Sequence, residues 1–136
     1  MKTIAFVLGN NDYFEGAQLK CAVNDATEMA AIFRRLGYDV FEKLNFKSEE
    51  CSSILSSFED RIKDYDASIF YFAGHGFELE GENYLIPIDY QIPPVNKYDA
   101  NRSCLRLTEV LGILKTHSGK VNIVIIDACR RTFDRG

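Results

Sequence analysis

The chain has no basic excess. Its formal net charge is −4 over 136 residues, so it lacks the means to hold a phosphate backbone, and nucleic acid is excluded as the expected partner. No apolar stretch approaches the roughly 20 residues that cross a bilayer, so no membrane partner is expected. The opening MKTIAFVLGNND lacks the length and the cleavage site of a signal peptide, and its apolar run reads as a first strand. The four cysteines, Cys21, Cys51, Cys104 and Cys129, show no metal-like spacing. Without a secretory leader they are expected to be reduced thiols of a cytoplasmic protein. There are only two histidines, His75 and His117. His75 and Glu78 find no third ligand nearby, and no dedicated acidic loop is present, so neither metal nor other cofactor is expected. There is no G-x-G-x-x-G and no G-x-x-x-x-G-K-[ST] in the sequence, which argues against a nucleotide-binding α/β domain. Internal repeats and low-complexity segments are also missing.

What is present is an alternation of strand and helix patterns. Thr3 to Leu8 is a continuous apolar run of the kind covered on both faces, and Gly9-Asn10-Asn11-Asp12 breaks it. Ala22, Ala26, Met29, Ala30, Phe33 and Leu36 fall at helical spacing, and Gly37 supplies the stop. Tyr38 to Leu44 reads as a second strand. Ser48 can cap a helix with Cys51, Ile54, Leu55, Phe58 and Ile62 inward. Ala67 to Ala73 is a third strand, Phe77 to Pro87 a hairpin or irregular extension, and Gln91 to Ser103 a polar, proline-containing loop. Thr108 can cap a third helix with Val110, Leu111 and Leu114 inward, and Val121 to Ile126 is a fourth strand. Such alternation predicts an α/β fold with a largely parallel sheet.

In sheets of this kind, reactive groups gather beyond the carboxyl ends of the strands. Two ends here carry unusual chemistry. The third strand runs into Gly74-His75-Gly76, and the fourth into Asp127-Ala128-Cys129. Each residue alone has a bland reading: a polar turn histidine, and a cysteine serving as a small buried hydrophobe. Together, at two strand ends of one sheet, an imidazole can take the thiol proton or stabilise a thiolate. The thiolate can attack a carbonyl, and the imidazole can then protonate the leaving amine. The backbone N–H groups of Gly76 and Cys129 are candidates for an oxyanion hole. His117, in the loop Thr116-His117-Ser118-Gly119, is expected at the surface, and Cys21, Cys51 and Cys104 read as structural or incidental.

The segments IAFVLGNNDY, LKCAVNDATEMAAIFRRLGYDV, FYFAGHG, NYLIPID and VNIVIIDACR resemble the caspase-like cysteine proteases, and within them the paracaspases. They occur in that family's order across nearly all of the chain. The resemblance implies a three-layer sandwich with a mostly parallel central sheet, His75 as the catalytic base and Cys129 as the nucleophile. The spacing of about 50 residues between them agrees with the caspase arrangement. Caspases that cut after Asp carry Gln where this chain has Asp127. Paracaspases and metacaspases carry Asp there and cut after Arg or Lys. A carboxylate two residues before the nucleophile can pair bidentately with a guanidinium. Asp25 matches a second acidic pocket residue of the paracaspase pattern, although Asp25 with Glu28 also fits a helix capping box. Arg130 occupies the family's usual position after Cys, and Arg131 stands where many caspases have Gly.

The resemblance further implies that residues 1–136 are the large-subunit portion of a caspase-like catalytic domain. The expected partners are a protein substrate with Arg or Lys before the cleaved bond, the small-subunit portion of the same protease, and possible assembly as a homodimer. The aliphatic run Val121 to Ile126 is expected inside a sheet, with strands on both sides. Arg135, in the linker Thr132-Phe133-Asp134-Arg135-Gly136, fits the expected basic preference, so self-processing is expected nearby. The alternative is a catalytically silent caspase-like scaffold or interaction module, against which the intact His75 and Cys129 argue.

Overall fold

The computed structural model describes residues 1–14, 16–90, 96–116 and 120–130, the side chains of Cys129 and Arg130 excepted. His117, Arg131 and the linker 132–136 lie outside the described residues, as does the start of the expected loop at Gln91.

A parallel core of four strands organises the chain. It comprises β1 (Thr3–Gly9), β2 (Asp39–Leu44), β3 (Ala67–Leu79) and β6 (Val121–Arg130), in the order β2-β1-β3-β6. Two short strands, β4 (Glu82–Leu85) and β5 (Leu105–Arg106), add antiparallel pairs to the far end of β3. Helices α1 (Ala22–Arg35), α2 (Cys51–Ile62), α3 (Lys97–Ser103) and α4 (Leu107–Lys115) complete the described elements. The expected α/β sandwich is what the chain forms.

Each sheet face is covered by the helix whose periodic apolar residues match it. The even face of β1 and β3, carrying Ile4, Phe6, Leu8, Phe70 and Phe72, meets Ile54, Phe58 and Ile62 of α2 and Val110 and Leu114 of α4. The odd face carries smaller groups, with Ala5, Val7 and Ala73 among them, and meets Ala22, Ala26, Ala30 and Phe33 of α1. That alanine stripe brings α1 close to the strand. A Cβ at Gly9 would stand 2.5 Å from the Ala26 Cβ, so the glycine that ends β1 is required by packing. Gly37 adopts φ +84 just after α1, the left-handed stop its position predicts.

Four expectations change. Lys97–Ser103 is helical rather than loop; its start is fixed by the Asn96 side chain, which accepts from the Asp99 N–H at 2.9 Å, and Ala100 anchors it in the core. Ser48 opens a 3-10 turn, Ser48–Glu50, that leads into α2. Thr108 lies inside α4, one residue past its start, and bonds Glu82 instead of capping. Finally, β6 is not enclosed. Among the described residues it pairs with β3 alone, its even side chains Val124, Ile126 and Ala128 pack on the core, and its odd side chains Val121, Ile123 and Ile125 remain 54%, 46% and 38% exposed. A helix over this face, of the kind that covers β1 and β3, is missing from the described residues.

Candidate active site

Strands β3 and β6 run parallel and in register from Ala67↔Val121 to Gly76↔Arg130. The sequence expectation ended them at Ala73 and Ile126. Instead the ladder continues through both motifs and sets His75 directly opposite Cys129, and Ala73 opposite Asp127. The extension has a physical cause on each edge. β1 leaves β3 at Ala73, and β4 takes over at Gly76, paired with Leu85. The Ile86 N–H donates to the His75 carbonyl at 3.0 Å. Pairing with β4 and β6 therefore holds the G-H-G stretch extended.

The two glycines are needed for space. A Cβ at Gly74 would lie 2.7 Å from the Phe72 ring and 2.8 Å from the Tyr13 hydroxyl. At Gly76 it would lie 3.2 Å from the Ala128 Cβ and 3.3 Å from the Tyr84 carbonyl. Gly76, a candidate oxyanion donor, sits in the ladder between Leu85 and Arg130.

His75 is only 3% exposed and is held at three points. Its Nε2 lies 2.6 Å from the Ala17 carbonyl oxygen. A carbonyl only accepts, so Nε2 carries the proton and donates, and Nδ1 is left as the basic nitrogen. The His75 backbone N–H donates to the Tyr13 hydroxyl at 3.0 Å, and that hydroxyl donates on to the Ile86 carbonyl at 2.8 Å. The Tyr13 ring also stands edge-on to the imidazole, centroids 4.5 Å apart.

The loop that delivers Tyr13 and Ala17 is built by asparagines that sequence reasoning left without a role. Asn10 is fully buried. Its N–H donates to the Ala73 carbonyl, its Nδ2 to the Ile86 carbonyl at 3.0 Å, and its Oδ1 accepts from the Phe46 N–H at 3.0 Å. Asn11 Oδ1 accepts from the Val23 N–H in the first turn of α1 at 2.9 Å. Asn45 Oδ1 accepts from the N–H groups of Asn11 and Asp12. The signal was present: polar amides directly after an all-buried strand must satisfy the backbone groups that the strand's end leaves open.

Asp25 and Asp127 come together. Both line one cavity of about 190 Å³ with Leu19, Lys20, Cys21, Ala22, Ala73 and Gly74. The capping-box reading of Asp25 does not hold, because α1 begins at Ala22 and Asp25 lies inside its first turn. The N-terminal donor at Val23 is met by Asn11 instead, which leaves the Asp25 carboxylate facing the cavity. Ala73, opposite Asp127, contributes a single methyl, so the cavity keeps its depth.

A larger cavity of about 550 Å³ opens on the opposite side of the sheet between α2, α3 and α4, with Cys51 and Cys104 among its walls. Burial pushes the Cys51 thiol up to about 12, and burial likewise raises Cys104. Both are therefore protonated thiols of low reactivity, and the candidate site is the β3–β6 end. Cys21 is exposed. Among the described residues no group of three His, Cys, Asp or Glu side chains could hold a metal ion, and no helix is long and apolar enough to cross a membrane.

Comparison with known proteins identifies the family and the fold. A family model described as the caspase domain matches residues 2–136. The mucosa-associated lymphoid tissue lymphoma translocation protein 1 homolog of Mus musculus is 26% identical over 131 residues, covering 96% of this chain and 15% of that protein. The Homo sapiens protein of that name matches to the same extent. The chain therefore spans a small part of the curated relatives it matches. Among solved structures, protein GSU0716 from Geobacter sulfurreducens superposes with a TM-score of 0.71 at 19% identity, over 98% of this chain and 52% of that one. This last likeness is one of fold.

Proposed function

This chain belongs to the caspase domain family, and from that premise we propose that it is the large-subunit portion of a cysteine endopeptidase that cuts proteins after Arg or Lys. The observation that carries the proposal is the register of β3 and β6, with His75 opposite Cys129 and the histidine tautomer fixed by the Ala17 carbonyl.

In the proposed reaction, Nδ1 of His75 takes the Cys129 thiol proton and the thiolate attacks the carbonyl carbon of the scissile bond. The oxyanion that forms is met by the N–H groups of Cys129 and Gly76. The imidazolium then protonates the leaving amine, and water hydrolyses the acyl-enzyme after the same histidine removes its proton. Asp25 and Asp127, on one cavity, supply the negative charge that a substrate guanidinium or ammonium requires.

One observation supports a further portion of the protease packed against this one, the small-subunit portion: among the described residues, the apolar odd face of β6 is open and its outer edge has no partner strand. An aliphatic strand with one bare edge and one bare face is a surface that folded proteins cover.

The test is a panel of fluorogenic peptides that differ only in the residue before the bond, assayed on the full-length protein. Arg and Lys peptides are expected to be cut and Asp peptides spared. Asp127→Asn is expected to remove most of the activity on Arg peptides, since one charge of a substrate pair would be left without its partner. A preference for Asp peptides, or indifference to Asp127→Asn, overturns the specificity. The absence of any peptidase activity in the full-length protein would favour the scaffold reading.

A further inference from the structure

The acidic cavity is not lined by acids alone. Lys20 shares it with Asp25 and Asp127, and it is the one cation among the described lining residues. The backbone around it is pinned on both sides. The Leu19 N–H donates to the Asn11 carbonyl at 3.0 Å, and the Val23 N–H donates to the Asn11 side chain at 2.9 Å. Lys20 itself is exposed and makes no ion pair with another described residue. It directly precedes Cys21, the cap of α1. The amino end of a helix is its positive pole, so an ammonium there works against helix stability. What the position offers in return is the pair of carboxylates on the same cavity.

We propose that Lys20 is the resident counter-ion of this cavity and tunes substrate binding by competition: its ammonium opposes the entry of a substrate's basic side chain and so weakens the affinity for Arg and Lys alike.

Charge counting shows what the ammonium does. Two carboxylates against one ammonium leave the empty cavity with one formal negative charge, and one substrate guanidinium or ammonium brings it to neutrality. Without Lys20 the empty cavity would hold two carboxylates and no cation, and its pull on a cationic side chain would be stronger. Exposed and outside ion-pair distance, Lys20 acts through its field and not through a bond. Its effect is therefore modest, blind to whether the incoming cation is a guanidinium or an ammonium, and sensitive to salt. The field acts on bound substrate and transition state equally, which places the effect in KM and not in kcat. A peptidase gains from this after the bond is cut, when the product still has its basic side chain in the cavity and a weaker hold speeds its release.

This proposal rests on the proposed basic specificity, and the experiment separates the two. The full-length protein is assayed at low salt with peptides bearing Arg, Lys or citrulline, the uncharged counterpart of Arg, before the bond. Lys20→Gln is expected to lower KM for the Arg and Lys peptides about threefold, with kcat changed less than twofold and the citrulline peptide cut no better. The Kd of a product peptide ending in Arg should fall by the same factor. Lys20→Arg keeps the charge and should return wild-type values. In 1 M salt, where charges act over about 3 Å, the gain should vanish. An unchanged or higher KM in Lys20→Gln would refute the competition even where Asp127→Asn still loses Arg activity. So would an equal shift on the citrulline peptide, or a gain that persists in 1 M salt. If Asp127→Asn itself changes nothing, the basic specificity fails and the role of Lys20 fails with it.

Discussion

The two strands that carry the site are built very differently. β3 is enclosed: β1 or β4 lies along one edge, β6 along the other, and its residues Ala67 to Phe77 are all buried. Among the described residues β6 has one partner strand and an apolar face that is half open. His75 is accordingly held at three points from β3 and the Tyr13 loop, whereas Cys129 is placed by the backbone ladder. The difference teaches that the proposed base is held in place by this chain's own groups, while the strand of the proposed nucleophile is held, among the described residues, from one side. The Ala17 carbonyl is enough to fix the tautomer of His75, but the proposed catalysis needs His75 and Cys129 within hydrogen-bond reach.

The largest break in this comparison is His75→Ala in the full-length protein. Cleavage of an Arg peptide, followed by fluorescence, should fall by about 10³, with a modest fall in melting temperature because a buried ring and its bond to the Ala17 carbonyl are lost. Retention of more than a tenth of the activity would remove His75 from the base role. Tyr13→Phe should act more moderately. It removes the hydroxyl that accepts from His75 N–H and donates to the Ile86 carbonyl. The Ile86 carbonyl keeps the Asn10 amide, but leaving the His75 N–H unmet should cost about 2 kcal/mol in chemical denaturation, and loosening the imidazole should lower kcat about tenfold. The smallest effect sharpens the β6 side. Ile123→Ala should cost about 3 kcal/mol in the full-length protein if a further segment buries that face. A loss below about 0.5 kcal/mol would show that the face is truly at the surface.

The parts of the fold that the sequence made legible are those where period and burial agree. Thr3 to Leu8, the stripe Ala22–Ala26–Ala30–Phe33 and the stripe Ile54–Phe58–Ile62 are all found where their spacing puts them. What was not legible depends on partners distant in sequence. The stretch Lys97–Ser103 contributes one fully buried residue, Ala100, so no periodicity marks its helix. The strand character of Gly74-His75-Gly76 comes from β4 and β6 claiming its backbone, which no local propensity records. At the candidate site, His75, Cys129, Asp25 and Asp127 were singled out by residue type and position, and the structure sets His75 opposite Cys129 and brings Asp25 and Asp127 onto one cavity. Tyr13, Asn10 and the Ala17 carbonyl could not. Their roles are set by a loop that crosses from β1 to the end of β3, and a backbone acceptor leaves no mark in a residue code.

The central claim is that Cys129, paired with His75, attacks a bond that follows a basic residue. The most direct measurement is to treat the full-length protein with a peptidyl-arginine chloromethyl ketone, digest it, and locate the adduct by mass spectrometry. The account predicts a single stoichiometric adduct on the Cys129 thiol, lost in His75→Ala and not formed with the matched aspartyl reagent. Labelling confined to the exposed Cys21, or equal labelling of Cys129 by the arginyl and aspartyl reagents, would contradict it.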